Sequence, residues 1–150
     1  MNVPSAGGGQ AVALQYRFVV RFDGQDLGAF TAISGLSVEV DVMTYAEGGL
    51  NGYEQFLPGR LKFSPVTLTR PLQRDSILPK WFSRYAAQPQ QSSTAEIIAL
   101  DTAGETFASW SLYGAYPVKW TGPSFSADGN AVATETLEIR HSGFVAEWGS

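Results

Sequence analysis

The spacing of apolar and polar residues along this chain is mostly that of half-buried β-strands, in which every second side chain faces the core. Residues 16–22 carry aromatic or aliphatic side chains at every even position and arginine at two odd ones. Residues 36–42 repeat the alternation, with Leu or Val at the even positions and Ser37, Glu39 and Asp41 at the odd ones. Each segment is therefore predicted to form a strand with one wet face.

Turn residues and a proline shape the course of two further predicted strands. Residues 23–26, with the sequence Asp-Gly-Gln-Asp, have turn chemistry, so residues 27–34 are predicted to return as the second strand of a hairpin. In residues 61–70 the apolar positions change from odd to even at Pro65, which cannot donate a ladder hydrogen bond. We expect one strand there, with a bulge or a sheet edge at Pro65.

Residues 46–59 lie between the predicted strands at 36–42 and 61–70, and this segment is too long and too rich in glycine for a tight hairpin turn. Loops of this length are often functional, and a mobile insertion is the alternative. Apolar side chains in this loop would be costly to leave in water, which favours a docking loop. The apolar residues of the predicted docking loop are Leu50, Tyr53, Phe56 and Leu57.

One short helix is predicted after Asp75 or Ser76, either of which can cap its first turn. Pro79 falls in that turn, where its missing N–H would have no intrahelical acceptor. The apolar residues that follow have helical spacing and predict packing against a sheet, not a cofactor site. They are Leu78, Trp81, Phe82 and Tyr85.

The remaining strands are predicted at residues 94–100, 107–116 and 134–140, with a stop at Pro117 and a loop at 119–123. This makes about seven strands and one helix, in an order without a strand–helix–strand repeat. We therefore predict a mainly β fold: an antiparallel β-barrel or sandwich with one short flanking α-helix.

Glu135 interrupts the apolar face of the last predicted strand. A carboxylate at such a position must find a partner or lie at the wet end of the strand. A structural ion pair is the favoured interpretation, ahead of a catalytic role.

The composition is that of one folded domain. With 150 residues, 44% hydrophobic and 16% charged, the chain has apolar material for one core and too few charges for a disordered protein. Residues 1–13, rich in small residues, predict a flexible N-terminal arm, and residues 14–150 a single domain. The low charge leaves an uncharged surface of the kind that meets partners.

Charge and cysteine content exclude several classes of function. A net charge of −4 argues against stable binding to nucleic acid through its phosphates. The absence of cysteine excludes disulfides, thiolate metal sites and cysteine nucleophiles. No apolar run approaches the ~20 residues that cross a bilayer, and no secretory signal is recognisable, so we expect synthesis in the cytoplasm and no membrane insertion by the monomer.

No motif indicates catalysis. The single histidine, His141, cannot build a histidine-rich metal site, and no Gly-x-Ser-x-Gly elbow accompanies it. Phosphate-binding loops of the Gly-x-x-x-x-Gly-Lys or Gly-x-Gly-x-x-Gly type are also absent. We assign no catalytic, cofactor-binding or metal-binding residue and predict that the protein is not an enzyme.

Several spaced motifs in one order resemble the phage-type tail tube proteins, including the inner tube subunits of contractile injection systems. Ser142 departs from the family pattern, which has an acidic residue between the histidine and the glycine. The motifs cover most of the chain from about residue 14 to 148: residues 16–23, 30–36 and 45–49, Leu57-Pro58-Gly59, residues 66–70, Trp81-Phe82, residues 115–120, Gly122-Pro123, residues 132–139 and residues 141–143.

The resemblance implies a β-barrel-like subunit that forms hexameric rings, which stack into a hollow tube inside a contractile sheath. The implied partners are further copies of the chain, the sheath protein, baseplate or spike proteins, tube-terminating proteins and protein cargo in the lumen. The implied location is a phage tail or a phage tail-like injection particle, with release outside the cell as one outcome. No cofactor belongs to this role.

Three groups of residues follow from the resemblance as expectations. A docking loop would contact the adjacent ring, and the wet face of a long strand would line a neutral or acidic lumen. A third group consists of structural residues in the family motifs. The contact residues are Glu47, Gly48, Gly49, Leu50, Tyr53, Phe56, Leu57, Pro58 and Gly59; the lumen residues are Ser37, Glu39 and Asp41; the motif residues are Lys119, Trp120, Gly122, Pro123, Glu135, His141 and Gly143.

Two other functions remain open at this point. Within the family, the chain could be a tube-initiating or adaptor ring at the baseplate. In another class, it could be a small β-barrel that carries an apolar ligand.

Overall fold

The computed structural model describes five parts of the chain: residues 16–46, 54–88, 93–124, 128–129 and 133–149. At residues 43–46 and 54–58 only the backbone is described. The predicted N-terminal arm, residues 1–13, lies outside the described residues.

The described residues form eleven β-strands and one α-helix, against about seven strands predicted. In chain order they are β1 Arg17–Phe22, β2 Gln25–Phe30, β3 Ala32–Ser34, β4 Val38–Ala46, β5 Glu54–Phe63, β6 Val66–Pro71, α1 Leu78–Ala87, β7 Thr94–Leu100, β8 Thr106–Tyr113, β9 Tyr116–Thr121, β10 Thr134–Arg140 and β11 Gly143–Trp148.

The strands form two packed sheets and one separate hairpin, and all the pairings are antiparallel. The first sheet has the order β11-β8-β7-β1-β2, and the second has the order β3-β6-β10-β9. One core contains buried side chains from both sheets, among them Phe22 and Ile97 from the first and Leu68 and Leu137 from the second. The predicted sandwich is therefore confirmed, whereas the described strands do not close into a barrel.

Helix α1 packs on this core through the predicted stripe. Leu78 and Trp81 are buried, and the rings of Trp81 and Tyr85 contact the Phe22 ring edge-on, at centroid distances of 5.0 and 5.1 Å. The residue before the first turn is Ile77. Ser76 still serves that turn, because its Oγ accepts a hydrogen bond from the Leu78 N–H at 3.3 Å.

Several predicted strand boundaries were wrong because chain reversals and sheet edges override local pattern. The predicted strand 61–70 is two strands in different sheets, and Pro65 lies at the crossing between them, not in a bulge. The predicted return strand 27–34 divides in the same way into β2 and β3. Residues 119–123, predicted as a loop, are largely strand β9, which continues through Pro117 because β9 is a sheet edge, where proline is tolerated.

The predicted docking loop also contains regular structure. Strands β4 and β5, which we call the hairpin, pair only with each other among the described strands, from Val38 opposite Phe63 to Ala46 opposite Glu54. Residues 54–59 therefore belong to a strand, and the tip, residues 47–53, lies outside the described residues.

A β-bulge in the hairpin depends on Gly59. The register shifts between Val40, opposite Leu61, and Val42, opposite Pro58, so that Asp41 faces two residues of β5. A Cβ atom at Gly59 would lie 2.3 Å from the Asp41 carbonyl oxygen, closer than two atoms can approach. The bulge thus requires glycine at this position.

A buried ion pair joins two neighbouring strands of the four-stranded sheet. Glu135 on β10 is fully buried and Arg70 on β6 is 2% exposed, with Nε and Oε2 2.9 Å apart. The break in alternation at Glu135 therefore marks the structural ion pair favoured from the sequence.

The remaining polar atoms of the pair are also satisfied. The Trp120 Nε1–H donates to Glu135 Oε1 at 3.0 Å, and the Ser76 hydroxyl lies 2.9 and 2.8 Å from the two carboxylate oxygens. Arg70 Nη1 donates to the Leu27 carbonyl at 2.8 Å, which links β6 to β2 of the other sheet. This network, which we call the polar core, also includes a Phe30 ring 4.5 Å from Arg70 Cζ.

We predict that Arg70→Met destabilises the fold by about 3–5 kcal/mol, because it leaves the Glu135 carboxylate buried without a counter-charge. Urea unfolding followed by tryptophan fluorescence measures this loss. The double variant Arg70→Met, Glu135→Leu should lose less than Arg70→Met alone. Glu138→Gln, on the opposite face of the same strand, is the matched control and should change stability by only about 0.5 kcal/mol. Additive losses in the double variant would contradict the coupling.

We predict that Gly59→Ala disrupts the hairpin while leaving the sandwich intact, since the added Cβ collides with the Asp41 carbonyl. Hydrogen exchange should accelerate in β4 and β5 and stay unchanged in β1 and β7. Gly143→Ala is the control, because a Cβ there would meet the Phe63 ring at an ordinary 3.5 Å. Equal protection of the hairpin in both variants would show that the bulge tolerates a side chain.

Candidate assembly surface

The single histidine lies at the base of the hairpin. His141 Nε2 is 3.1 Å from the Ser64 carbonyl oxygen, so this nitrogen donates the hydrogen bond. The imidazole contacts the rings of Phe63 and Phe144 at centroid distances of 5.5 and 6.0 Å. A catalytic triad would need a carboxylate at Nδ1, but Nδ1 is buried and has no hydrogen-bond partner among the described residues. These contacts anchor the connection between β5 and β6.

Of the other residues of the family motifs, Trp120 and Gly122 pack around the polar core. Trp120 lies on β9 and reaches Glu135 with its indole nitrogen. Gly122 makes room for this indole, because a Cβ there would lie 2.8 Å from a Trp120 ring carbon. Lys119 is exposed and Pro123 half-buried. Gly143 begins β11.

No metal site is apparent in the described parts of the chain, where no group of three or more His, Asp or Glu side chains converges. Nor does any helix in those parts have the length and apolarity to span a membrane. The features that stand out are surfaces.

The apolar face of the hairpin is exposed. Val40 and Leu61 are directly opposite each other and share this face with Val38 and Val42. Between 47% and 60% of each of these four residues is exposed. We call them the apolar ridge. At its base the ridge continues into Phe63, which packs against Phe144 of β11.

The opposite face of the hairpin carries the predicted lumen residues. Ser37 Oγ lies 3.0 Å from Ser64 Oγ across the base of the hairpin. Asp41 and Lys62 form an exposed ion pair of 3.8 Å, and Glu39 lies directly opposite Lys62. The face is therefore polar and carries both signs of charge.

The residues predicted to contact an adjacent ring divide between the tip and β5. Phe56, Leu57 and Pro58 pair through their backbones with Thr44, Met43 and Val42. Gly59 forms the bulge described above. The other five, which are Glu47, Gly48, Gly49, Leu50 and Tyr53, lie outside the described residues.

A second polar face lies on the four-stranded sheet. The residues of β6 and β10 that point away from the core are mostly threonine. Both edge strands of this sheet, β3 and β9, lack a second neighbour among the described strands. The outward residues are Thr67, Thr69, Pro71, Thr134, Thr136, Glu138 and Arg140.

An aromatic cavity of about 280 Å³ opens at one end of the five-stranded sheet. The sequence pattern did not reveal it, because its residues come from four strands and β11 was not predicted. The spacing of Phe144, Ala146 and Trp148 was the available signal. We call the cavity the aromatic cradle; it is lined by Tyr16, Phe18, Ala99, Phe107, Trp110 and Trp148.

Comparison of the sequence with known proteins gives a family. The sequence model of the T4-like virus tail tube protein gp19 matches residues 14–145. No curated protein sequence matches the chain.

Solved structures share the fold over nearly the whole chain. A chain in the cryo-EM structure of the anti-feeding prophage (AFP) baseplate, 6-fold symmetrised, has a TM-score of 0.72 at 25% identity and covers 99% of this chain and 98% of that one. A chain in the sheath-tube complex of PVC, an extracellular contractile injection system, has a TM-score of 0.71 at 21% identity, covering 98% and 99%. Hcp1 from Salmonella typhimurium is more distant, with a TM-score of 0.55 at 14% identity, covering 89% and 87%.

The family match runs from the residues before β1 into β11 and includes both sheets, the helix and the hairpin. It therefore spans the polar core, the hairpin and every residue of the aromatic cradle except Trp148. This protein belongs to the T4-like virus tail tube protein gp19 family.

Proposed function

We propose that this tail tube protein is the main inner-tube subunit of a contractile injection system or phage tail, forming hexameric rings that stack into a hollow tube. The observation that carries the proposal is the family match over residues 14–145. The apolar ridge supports it, because contiguous exposed apolar surface is typical of a subunit whose neighbours cover that surface in the assembly. Contraction of a surrounding sheath would drive the tube forward.

The ring number follows from the AFP relative, whose baseplate structure is 6-fold symmetrised. Stacked rings need two different contacts between copies. A head-to-tail contact closes each ring, and a second contact repeats along the tube axis.

An adaptor ring at the baseplate is the second candidate, and the AFP match favours it because that structure is a baseplate. The match to a PVC sheath-tube complex supports the main subunit. Stacking separates the two, since a main subunit polymerises and an adaptor stops at single rings. The third alternative, a ligand-carrying barrel, has less support because the described sheets are open at their edges.

The proposed partners are those of a tube. Besides further copies of itself, they are a sheath protein, baseplate or spike proteins, a terminating protein and protein cargo in the lumen. The matched structures include a sheath-tube complex and a tube-terminating cap. We infer synthesis in the cytoplasm, assembly into a phage tail or tail-like particle, and release outside the cell. The role requires no active site, cofactor, nucleic acid or membrane insertion.

The hairpin tip is the proposed contact between rings. Leu50 and Tyr53 are apolar residues in the tip, and Phe56 and Leu57 follow in β5. Because β4 and β5 pair with each other alone among the described strands, they can present this tip to another ring.

The proposed lumen wall is the polar face of the hairpin, with Ser37, Glu39 and Asp41. Lys62 lies among these residues, so the wall would be close to neutral. A surface without strong charge or apolar patches would retain little cargo during passage. The threonine-rich face of the four-stranded sheet is the competing surface.

We predict six-fold rings and stacked tubes when the purified chain is viewed by negative-stain electron microscopy. Replacing residues 47–53 by Asn-Gly, the two-residue turn that suits Ala46 opposite Glu54, should leave single rings, because the proposed contact between rings is gone. A seven-residue Gly/Ser tip controls for length and should also give single rings. Wild-type length tubes from both variants would refute the tip contact, whereas a 16.2 kDa monomer from the wild type at high concentration would refute the proposed function.

We predict that Glu39→Cys in assembled tubes reacts with a small maleimide but not with a maleimide on a long polymer, which cannot enter the lumen. The chain has no native cysteine, so the labelling background is clean. Lys80→Cys, on the exposed side of α1, is the control and should react with both reagents. If the polymer-linked maleimide labels Glu39→Cys fully but does not label Glu138→Cys, the four-stranded sheet and not the hairpin lines the lumen.

A further inference from the structure

The aromatic cradle is held open by its own ring contacts. The Phe107 ring lies 5.1 Å from that of Tyr16 and 6.1 Å from that of Trp148, measured between centroids. Aromatic pairs at these distances are favourable, so the walls are preorganised. The small residue Ala99 is buried and contributes to the floor.

The cradle forms because no described residue covers part of the core-facing side of the sheet here. A register shift in the β7–β8 pair puts Leu100 opposite Thr106, which leaves Phe107 as an extra residue in β8. Trp148 lies opposite the buried Ala108, so its side chain is on the core-facing side of the sheet. Yet Trp148 is 69% exposed and Phe107 is 47% exposed. Apolar surface of this kind at the edge strand β11 is accessible to another chain.

The apolar ridge has the complementary character. Its four side chains are aliphatic, and the charged Glu39 and Lys62 lie on the other face of the hairpin. The bulge at Gly59 lies beside the ridge, and Phe63 packs on Phe144 at its base. The ridge is therefore an exposed row of aliphatic side chains, and the cradle is an apolar recess.

We infer that the cradle of one copy receives the apolar ridge of a second copy. Both surfaces occur on every chain at different places, so their contact is head-to-tail and propagates from copy to copy. The ridge is continuous with the tip already proposed as a contact between copies. Its four residues are far fewer than the 20–30 per side of a standard interface, so the contact holds only when repeated in a closed or stacked assembly. The inference rests on the proposed function.

Cysteine cross-linking tests this contact in the assembled full chain. Val40→Cys places a thiol on the ridge. Ala146→Cys places one on β11 beside the cradle, opposite Trp110 of β8. A short bismaleimide should join the double variant into covalent ladders of copies within tubes. In the control, Val40→Cys with Val145→Cys, the second thiol lies on the opposite face of β11 and should cross-link at least about tenfold less.

Loss of the cradle's largest side chain gives an independent measure. Trp148→Ser should raise the protein concentration at half-assembly by about tenfold or more, as for a buried tryptophan anchor. Val145→Ser, with a 50% exposed side chain on the same strand, should leave it within about twofold. Unchanged thermal unfolding midpoints would show that both variants fold.

The outcomes separate the two proposals. If rings or tubes form but the Val40→Cys, Ala146→Cys variant gives no cross-links, the ridge contact alone is overturned. The same holds if Trp148→Ser and Val145→Ser have equal protein concentrations at half-assembly. Cross-links confined to heavier bands with a non-identical protein also overturn it, since they identify another occupant. Failure of the wild type to assemble at all overturns the proposed function and, with it, the contact.

Discussion

The ion pair between Arg70 and Glu135 is the constraint on which the rest of the fold depends. A buried carboxylate and a buried guanidinium are tolerated only when each finds hydrogen-bond partners, and these partners come from every layer. Leu27 supplies a carbonyl from the five-stranded sheet, Trp120 an indole N–H from β9, and Ser76 a hydroxyl from the turn before the helix. The pair therefore sets the relative position of both sheets and the start of α1.

The same constraint explains two glycines. Gly28 has a positive φ of 94°, and a Cβ there would lie 2.7 Å from Arg70 Nη1, so the arginine occupies the space of a side chain. Gly122 plays the equivalent part for Trp120. Burying the pair in this way costs desolvation, which the network offsets by leaving no oxygen of Glu135 without a partner.

The sandwich and its surface have opposite energetic characters. The sandwich buries the apolar side chains of its core within one chain. The apolar ridge and two cradle residues, Phe107 and Trp148, instead leave valine, leucine and aromatic side chains between 47% and 69% exposed. A rigid subunit with uncovered apolar surfaces at separate places suits a tube, because assembly can complete the burial without rearranging the core.

The local pattern of apolar and polar residues was sufficient to predict the elements in which burial follows from the side chains of a single strand or helix. The alternation in residues 16–22 and 134–140, the stripe on α1 and the break at Glu135 all report burial on a single strand or helix, and the structure agrees with each. The pattern was insufficient where a neighbouring strand decides. Pro117 reads as a terminator, but an edge strand has one side free of ladder bonds, so β9 continues through it.

The sequence by itself determined the mainly β class, the helix and its buried face, the need of Glu135 for a partner, and the membership of a family through motifs in a fixed order. The tertiary structure decided which residue is that partner, where the chain crosses from the hairpin to the four-stranded sheet at Pro65, and which apolar faces the described residues leave uncovered. The physical reason is that burial depends on residues distant in sequence. Val38 and Val20 have the same local pattern, yet Val20 belongs to the shared core and is buried, whereas no described layer covers Val38, which is 48% exposed.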